Sequence, residues 1–135
     1  VAHPGPTKWG FGLVGYCGPD GSNYRLRSLD NRIYLVKRRA DGRVENLAGA
    51  SVALQRGRWY NLKLSLDNLR DGVRLQGKVW EDETNEPAQW QALAYDRTAY
   101  LDGGAPGVWC FGTAVDFDDF QVRTSTLSAL NELLR

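Results

Sequence analysis

The side chains best suited to ligand recognition fall in two short alternating segments. Arg25 and Arg27 share one face of a predicted strand, and Lys78 and Trp80 share the outward face of another. Planar polar groups bind sugar hydroxyls, and an aromatic ring covers the apolar side of a pyranose. If both faces belong to one concave sheet, these four residues form a ligand-binding groove with an aromatic floor. The competing interpretation is that the tryptophan only packs.

The acidic residues supply no catalytic pair. Glycoside hydrolysis needs a carboxylic acid and a carboxylate on either side of the scissile bond. The one acidic cluster, residues 81–86, lies between a predicted strand and Pro87, as a solvated loop would. His3 is the sole histidine and lies in a Pro/Gly-rich terminus, which excludes a serine or cysteine triad and a histidine zinc site. We therefore expect no catalytic residue and no enzyme activity; the alternative is a glycoside hydrolase or lyase in which upstream strands supply a partner for the acidic cluster.

Cysteines and aspartates give two further candidate sites. Cys17 and Cys110 each lie in a short aromatic run bounded by glycine. They form one disulfide if their strands are suitably placed neighbours, and otherwise they are two buried free thiols; both alternatives remain open. Asp116, Asp118 and Asp119 offer the hard oxygen ligands that calcium prefers, against the alternative of exposed charges at a strand end. Apart from this candidate calcium, no cofactor is indicated.

Length and charge limit the classes of partner. A chain of 135 residues fits one domain with one core. Its 17 basic and 16 acidic residues leave a formal charge of +1, too small to attract nucleic acid. No apolar stretch approaches the roughly 20 residues that a membrane span needs. Because the chain contains no methionine, we expect a processed or partial product.

Period-two alternation with turn residues between the segments predicts an all-β protein. Asp30-Asn31 predicts a tight connection between two strands. Alternation assigns two sets of residues to the core: Tyr60, Leu62, Leu64 and Leu66, and then Val73, Leu75 and Val79. Segments at intervals of roughly ten residues favour an antiparallel β-sandwich over residues 11–123, preceded by an extension over residues 1–10. The predicted strands are Phe11 to Cys17, Tyr24 to Leu29, Arg32 to Arg38, Val44 to Leu47, Arg58 to Leu66, Val73 to Trp80, Trp90 to Tyr95, Val108 to Gly112 and Phe117 to Val122.

The last segment, residues 124–135, has a different periodicity. Ser125 is a suitable N-cap, and leucines follow it at helical spacing. The leucines are Leu127, Leu130, Leu133 and Leu134. A short amphipathic helix is therefore expected, either as a linker or docking element for a partner, which we favour, or packed on the domain's own surface.

An ordered series of segments covers most of the chain. It runs through Tyr24 to Arg27, Ile33 to Arg38, Gly57 to Leu64, Gly107 to Trp109 and Phe117 to Val122. The most distinctive stretch is Lys78-Val79-Trp80 followed by Glu86-Pro87-Ala88-Gln89-Trp90. Over residues 11–123 this series resembles the bacterial concanavalin A-like lectin/glucanase domains, also described as laminin G-like.

The resemblance carries three implications. It implies a jelly-roll-like sandwich, and it places Asp119 where a last-strand aspartate holds a structural calcium in related families. Domains of this family usually open with further strands before the one that resembles Phe11 to Cys17. An uncovered sheet edge promotes aggregation, so the second sheet has to be completed by upstream strands or by another chain.

The leading functional hypothesis is a non-catalytic recognition module that binds a glycan or surface partner. Such a module belongs to a secreted or periplasmic bacterial protein, so we expect an extracellular or periplasmic location. The alternative is a structural or accessory subunit that stabilises a larger protein complex. A glycan module should remain soluble and monomeric alone, whereas a subunit should be unstable without its partner chains.

Overall fold

The computed structural model describes residues 9–112 and 114–123. Within those ranges the chain forms eight β-strands and no helix. The strands are β1 Gly10–Cys17, β2 Asn23–Leu29, β3 Arg32–Arg38, β4 Val44–Ser51, β5 Tyr60–Leu69, β6 Gly72–Glu81, β7 Ala92–Asp96 and β8 Ala105–Phe111. The same residues include no helix that could cross a bilayer.

The strands form two antiparallel sheets. The larger sheet has the order β4-β3-β2-β1-β8, and the smaller has the order β5-β6-β7. The predicted tight connection between β2 and β3 is present, because Asp30 and Asn31 both have positive φ, at 52° and 59°. Two consecutive residues with positive φ form a turn whose twist matches that of the flanking strands, as in a two-residue β-hairpin. The prediction of an all-β, two-sheet sandwich is confirmed at this level.

Alternating apolar residues explain why the sheets face each other. Val73, Leu75 and Val79 of β6 point inward and are at most 1% exposed. At the inward position between them, a Cβ on Gly77 would lie only 2.7 Å from Cδ1 of Leu26 on β2, so the sheets meet closely there. The predicted inward set of β5 also packs against this core: Tyr60, Leu62, Leu64 and Leu66.

A buried ion pair links the sheets. The Nζ atom of Lys37 on β3 lies 2.7 Å from Oδ2 of Asp96 on β7. The Tyr24 hydroxyl donates to the same carboxylate at 2.6 Å and accepts the N–H of Leu101 at 3.0 Å. The lysine also donates to two carbonyl oxygens of the 97–101 connection. Every member of this network has a partner, as a stable buried polar group requires.

Three predicted features differ from the structure or fall outside it. Phe117 to Val122 is exposed and forms no strand, although it alternates. Strand formation needs a neighbour that pairs with the backbone, which alternation alone cannot supply. The predicted helix over residues 124–135, with its four leucines, lies outside the described residues, as does most of the extension over residues 1–10.

The disulfide alternative is wrong for this structure, because both thiols are free. Their strands are neighbours, but the register pairs Cys110 with Phe11, six residues along β1 from Cys17. Six residues of extended strand span about 20 Å, far beyond the roughly 6 Å between the Cα atoms of a disulfide. The second alternative also needs correction, since Cys17 is only half-buried and Cys110 is exposed.

Candidate ligand-binding site

The outward face of the five-stranded sheet gathers two arginines and two aromatic rings. Gly12 of β1 pairs with Arg27 of β2 on one side and with Trp109 of β8 on the other. The guanidinium carbons of Arg25 and Arg27 each lie 5.7 Å from the centre of the Trp109 ring. Phe111 stacks on Trp109, with ring centres 6.2 Å apart and planes inclined by 6°. Arg25, Arg27, Trp109 and Phe111 are called the Arg–Trp cluster below.

Glycines in β1 allow this cluster to form. Trp109 and the arginines stand on strands separated by β1, which are about 10 Å apart. Gly10 and Gly12 leave the outward side of β1 bare up to Val14, and a Cβ at Gly10 would lie 3.2 Å from Cζ3 of Trp109. At Gly12 a Cβ would overlap the carbonyl oxygen of Leu26. The indole therefore reaches across the bare strand toward β2.

The two guanidinium groups are partly desolvated. Burial lowers the pKa of both, and for Arg25 the charges of Arg27 and Arg38 lower the pKa further. Their hydrogen-bond partners are neutral: Arg25 Nε donates to Asn23 Oδ1 at 2.9 Å, and Arg27 Nη2 donates to Asn46 Oδ1 at 3.3 Å. The Nε atom of Arg27 is buried and has no partner within the described part of the chain. Since arginine stays charged at neutral pH, the cluster is a positive centre.

Lys78 and Trp80 lie on the opposite outer face, so the predicted single groove is wrong. Their neighbours on β6 point into the core, which directs these two side chains away from the five-stranded sheet. Lys78 is only 5% exposed. Its Nζ lies 2.7 Å from Oε2 of Glu86, donates to the Pro87 carbonyl at 2.7 Å, and lies 4.8 Å from the Trp90 ring. Lys78 therefore holds the connection between β6 and β7 in place.

Asp119 lies exposed in the irregular segment 114–123. Its φ is 54°, and its N–H donates to Oδ1 of Asp118 at 2.9 Å. In residues 9–112 and 114–123, no three His, Cys, Asp or Glu side chains converge as a metal would require. The last-strand position on which the calcium assignment depended is absent, so calcium at Asp119 stays a prediction without structural support.

A groove of about 800 Å³ opens where the sheets differ in width. β5 packs over β1 and β2, and β8 lies farther out. The inward side of β8 is consequently uncovered, and Val108 is 44% exposed. Apolar side chains and the irregular segment line this groove: Trp9, Phe11, Leu13, Tyr60, Leu62, Val108 and residues 114–121.

Sequence reasoning found the arginines of the cluster but missed its aromatic part. Neither Trp109 nor Phe111 is among the four ligand-binding residues that the sequence predicts. The available signals were the Gly10-Phe11-Gly12 pattern, which predicts a strand with one bare face, and the two-residue spacing of the rings. Neither signal shows that β8 lies beside β1, because that pairing joins distant parts of the chain.

Comparisons with known proteins give no assignment. No family model, no curated protein and no solved structure matches the chain. The function is therefore argued from the chemistry of the site itself.

Proposed function

We propose that the chain is a non-catalytic recognition module that binds a glycan or surface partner on the outward face of its five-stranded sheet. The Arg–Trp cluster carries the proposal, because it combines hydrogen-bond donors with stacked aromatic rings on one face. Within the proposal, the sandwich is of the concanavalin A-like, jelly-roll-like kind. The proposal also includes a secreted or periplasmic host protein, as the resemblance implies.

The cluster's chemistry suits binding better than bond cleavage. Phe111 is 52% exposed and extends the indole surface, so a pyranose has an apolar area to lie against. The two guanidinium groups supply donors in a fixed planar arrangement. No carboxylate within the described residues pairs with either arginine, whereas hydrolysis needs a pair of carboxyl groups.

A glycan array with matched tryptophan variants tests this function. Trp109→Ala removes the aromatic centre of the cluster. Binding of any glycan that the native chain binds on the array should weaken by about tenfold or more, because a central aromatic residue commonly contributes this much to binding. Trp59→Ala is the control, since Trp59 is 55% exposed and lies outside the cluster. The proposal fails if the native chain binds no glycan, or if both variants bind as the native chain does.

The free edge of β5 favours the second candidate function, an accessory subunit of a larger complex. The other edge strands carry features that discourage pairing: β8 contains Pro106, β7 has five residues, and β4 has a register shift. β5 has ten residues and none of these features. It also borders the apolar groove, so an added strand from another chain would find both backbone partners and an apolar floor.

The backbone geometry of β5 supports this candidate. The Gly77 carbonyl on β6 accepts the N–H of Gln91 on the β7 side, so Leu64, which is opposite Gly77, directs its N–H and C=O toward the open edge. The Leu66 carbonyl also points there but already accepts the Tyr16 hydroxyl at 3.4 Å, so the open part of this edge lies at Leu64 and toward Tyr60.

Native mass spectrometry of the chain purified from its source distinguishes the two functions. A free species of 15.1 kDa contradicts the subunit function. A stable assembly with other polypeptides supports it, and protection of β5 amides from hydrogen exchange in that assembly would locate the interface.

A further inference from the structure

The outward face of the five-stranded sheet carries positive charge without acidic residues. Four arginines occupy outward positions on β2 and β3: Arg25, Arg27, Arg32 and Arg38. The five strands contain one acidic residue, Glu45, which pairs in register with the buried Lys37 and so belongs to the other face. Although the whole chain is nearly neutral, this face is therefore cationic, and its potential favours an anionic ligand.

Arg25 and Arg27 are the two of these arginines whose pKa is lowered by burial. Both contact the Trp109 ring, both have only amide oxygens as hydrogen-bond partners, and neither has a carboxylate partner within the described residues. The unpartnered, buried Nε of Arg27 adds a donor that lacks an acceptor. An arginine that loses hydration without gaining a counter-charge is unfavourable, and a bound anion would supply both the charge and the missing acceptor.

The spacing of the two arginines suits one anionic group. Residues two apart on a strand face are about 7 Å apart at Cα. Both guanidinium groups converge on the same indole ring, so the oxygens of one carboxylate or sulfate could accept from both. Beside this point, the stacked rings of Trp109 and Phe111 provide an apolar surface of the kind that a sugar ring covers.

We propose that the Arg–Trp cluster binds an acidic saccharide, with a carboxylate or sulfate group held between Arg25 and Arg27 and the sugar ring against Trp109 and Phe111. This inference rests on the proposed glycan-binding function and specifies its ligand class. A neutral glycan would leave both arginines uncompensated. A nucleic acid would contact the arginines through its phosphate groups, so its binding would not require a carboxylate on the sugar.

A matched pair of probes isolates the anionic group. Oligogalacturonate and its methyl ester have the same sugar skeleton and differ in charge, and isothermal titration calorimetry measures binding of both to the full chain. The acid should bind about tenfold or more tightly than the ester, the range expected of hydrogen bonds to a charged group. Its affinity should fall with added salt, because the attraction is screened.

Charge-neutral variants assign the effect to the cluster. Arg27→Gln and Arg25→Gln should each weaken acid binding by about tenfold while ester binding changes little. Arg43→Gln removes the same charge at an exposed hairpin position and should leave both affinities unchanged. Arg27→Lys keeps the charge without the planar fork and should restore only part of the affinity. Circular dichroism and melting temperature verify that each variant is folded.

The outcomes separate the inference from the function. If acid and ester bind equally, or if the Arg25 and Arg27 variants bind the acid as the native chain does, the acidic-saccharide assignment is overturned while glycan binding stands. If neither these probes nor any glycan on the array binds, both fail. If single-stranded DNA binds as tightly as the acid and the same variants abolish that binding, the saccharide assignment is also overturned.

Discussion

Replacing Lys37 by methionine tests how the sheets are held together. The Lys37 and Asp96 side chains are 3% and 7% exposed, and their charged atoms are 2.7 Å apart. The lysine also donates to the carbonyl oxygens of Thr98 and Ala99 at 2.7 and 3.0 Å. Methionine keeps most of the side-chain volume, so the change removes the charge and three interactions while it disturbs packing little.

The expected loss of stability is large for the replacement of a single side chain. Removing one partner of a buried ion pair costs about 3–5 kcal/mol, because the remaining charge is buried without compensation. A domain of this size has a free energy of unfolding of about 5–15 kcal/mol, so the variant loses a substantial part of its stability. The more accessible pair of Arg74 and Asp67, at 39% and 24% exposure, is the control, and Arg74→Met should cost about 1 kcal/mol.

The loss should depend on pH in a defined direction. Burial alone would raise the pKa of Asp96, but hydrogen bonds from Lys37, Tyr24 and the Thr98 N–H lower it. A carboxyl group with a lowered pKa stabilises the fold above its unfolded pKa of about 4, and this contribution disappears as the pH falls through the folded pKa. Without Lys37, Asp96 loses the first of these lowering hydrogen bonds, so we expect its pKa to be higher in the variant than in the native protein. The difference between native and variant proteins should therefore be largest at pH 7 and shrink toward pH 4.

Urea denaturation at several pH values measures this difference. The double variant Lys37→Met/Asp96→Leu should recover part of the lost stability, because it leaves no unpaired charge. The reasoning is refuted if Lys37→Met costs no more than Arg74→Met at pH 7, or if the difference between native and variant proteins is the same at every pH.

Three further predictions concern the thiols, the contact between the sheets and the contacts of Lys78 with the connection between β6 and β7. Titration of the denatured, unreduced protein should give two thiols per chain, and a result of zero would contradict the observed register. Gly77→Ala should cost about 1–3 kcal/mol in urea denaturation, because its Cβ would lie 2.7 Å from Leu26 Cδ1. Gly103→Ala, which meets no atom within 4 Å, is the control, and equal midpoints would count against the tight contact. Lys78→Met should speed proteolysis of the 82–91 connection and leave acid binding unchanged; weakened binding by a folded variant would place Lys78 in the site.

The inward face of each strand could be predicted well from sequence. Alternation identified Val73, Leu75 and Val79 as core residues, and all three are buried. The Asp30-Asn31 turn was also predicted, since both residues tolerate positive φ. These features depend on residues close together in the chain, where periodicity and turn chemistry act directly.

Pairing between distant strands could not be predicted in the same way. Three features depend on the pairing of strands that are distant in sequence. They are the position of Trp109 over β1, the offset of Cys110 from Cys17 and the sheet to which β6 belongs. A two-residue period shows which side chains share a face of one strand, but not which faces share a sheet. This is why Arg25 and Lys78, which have similar sequence patterns, were assigned to one groove and lie on opposite faces.

The two pairs of candidate residues, Arg25 with Arg27 and Lys78 with Trp80, differ in whether the fold neutralises their positive charge. Lys78 is surrounded by Glu86, the Pro87 carbonyl and the Trp90 ring, so its charge is used within the fold. Arg25 and Arg27 are similarly screened from water by an aromatic ring but meet only amide oxygens. A positive group that the fold itself neutralises has a structural role, whereas a desolvated positive group without a counter-charge is available to a ligand. On this physical ground the five-stranded sheet, and not the face that carries Lys78 and Trp80, is the place to look for binding.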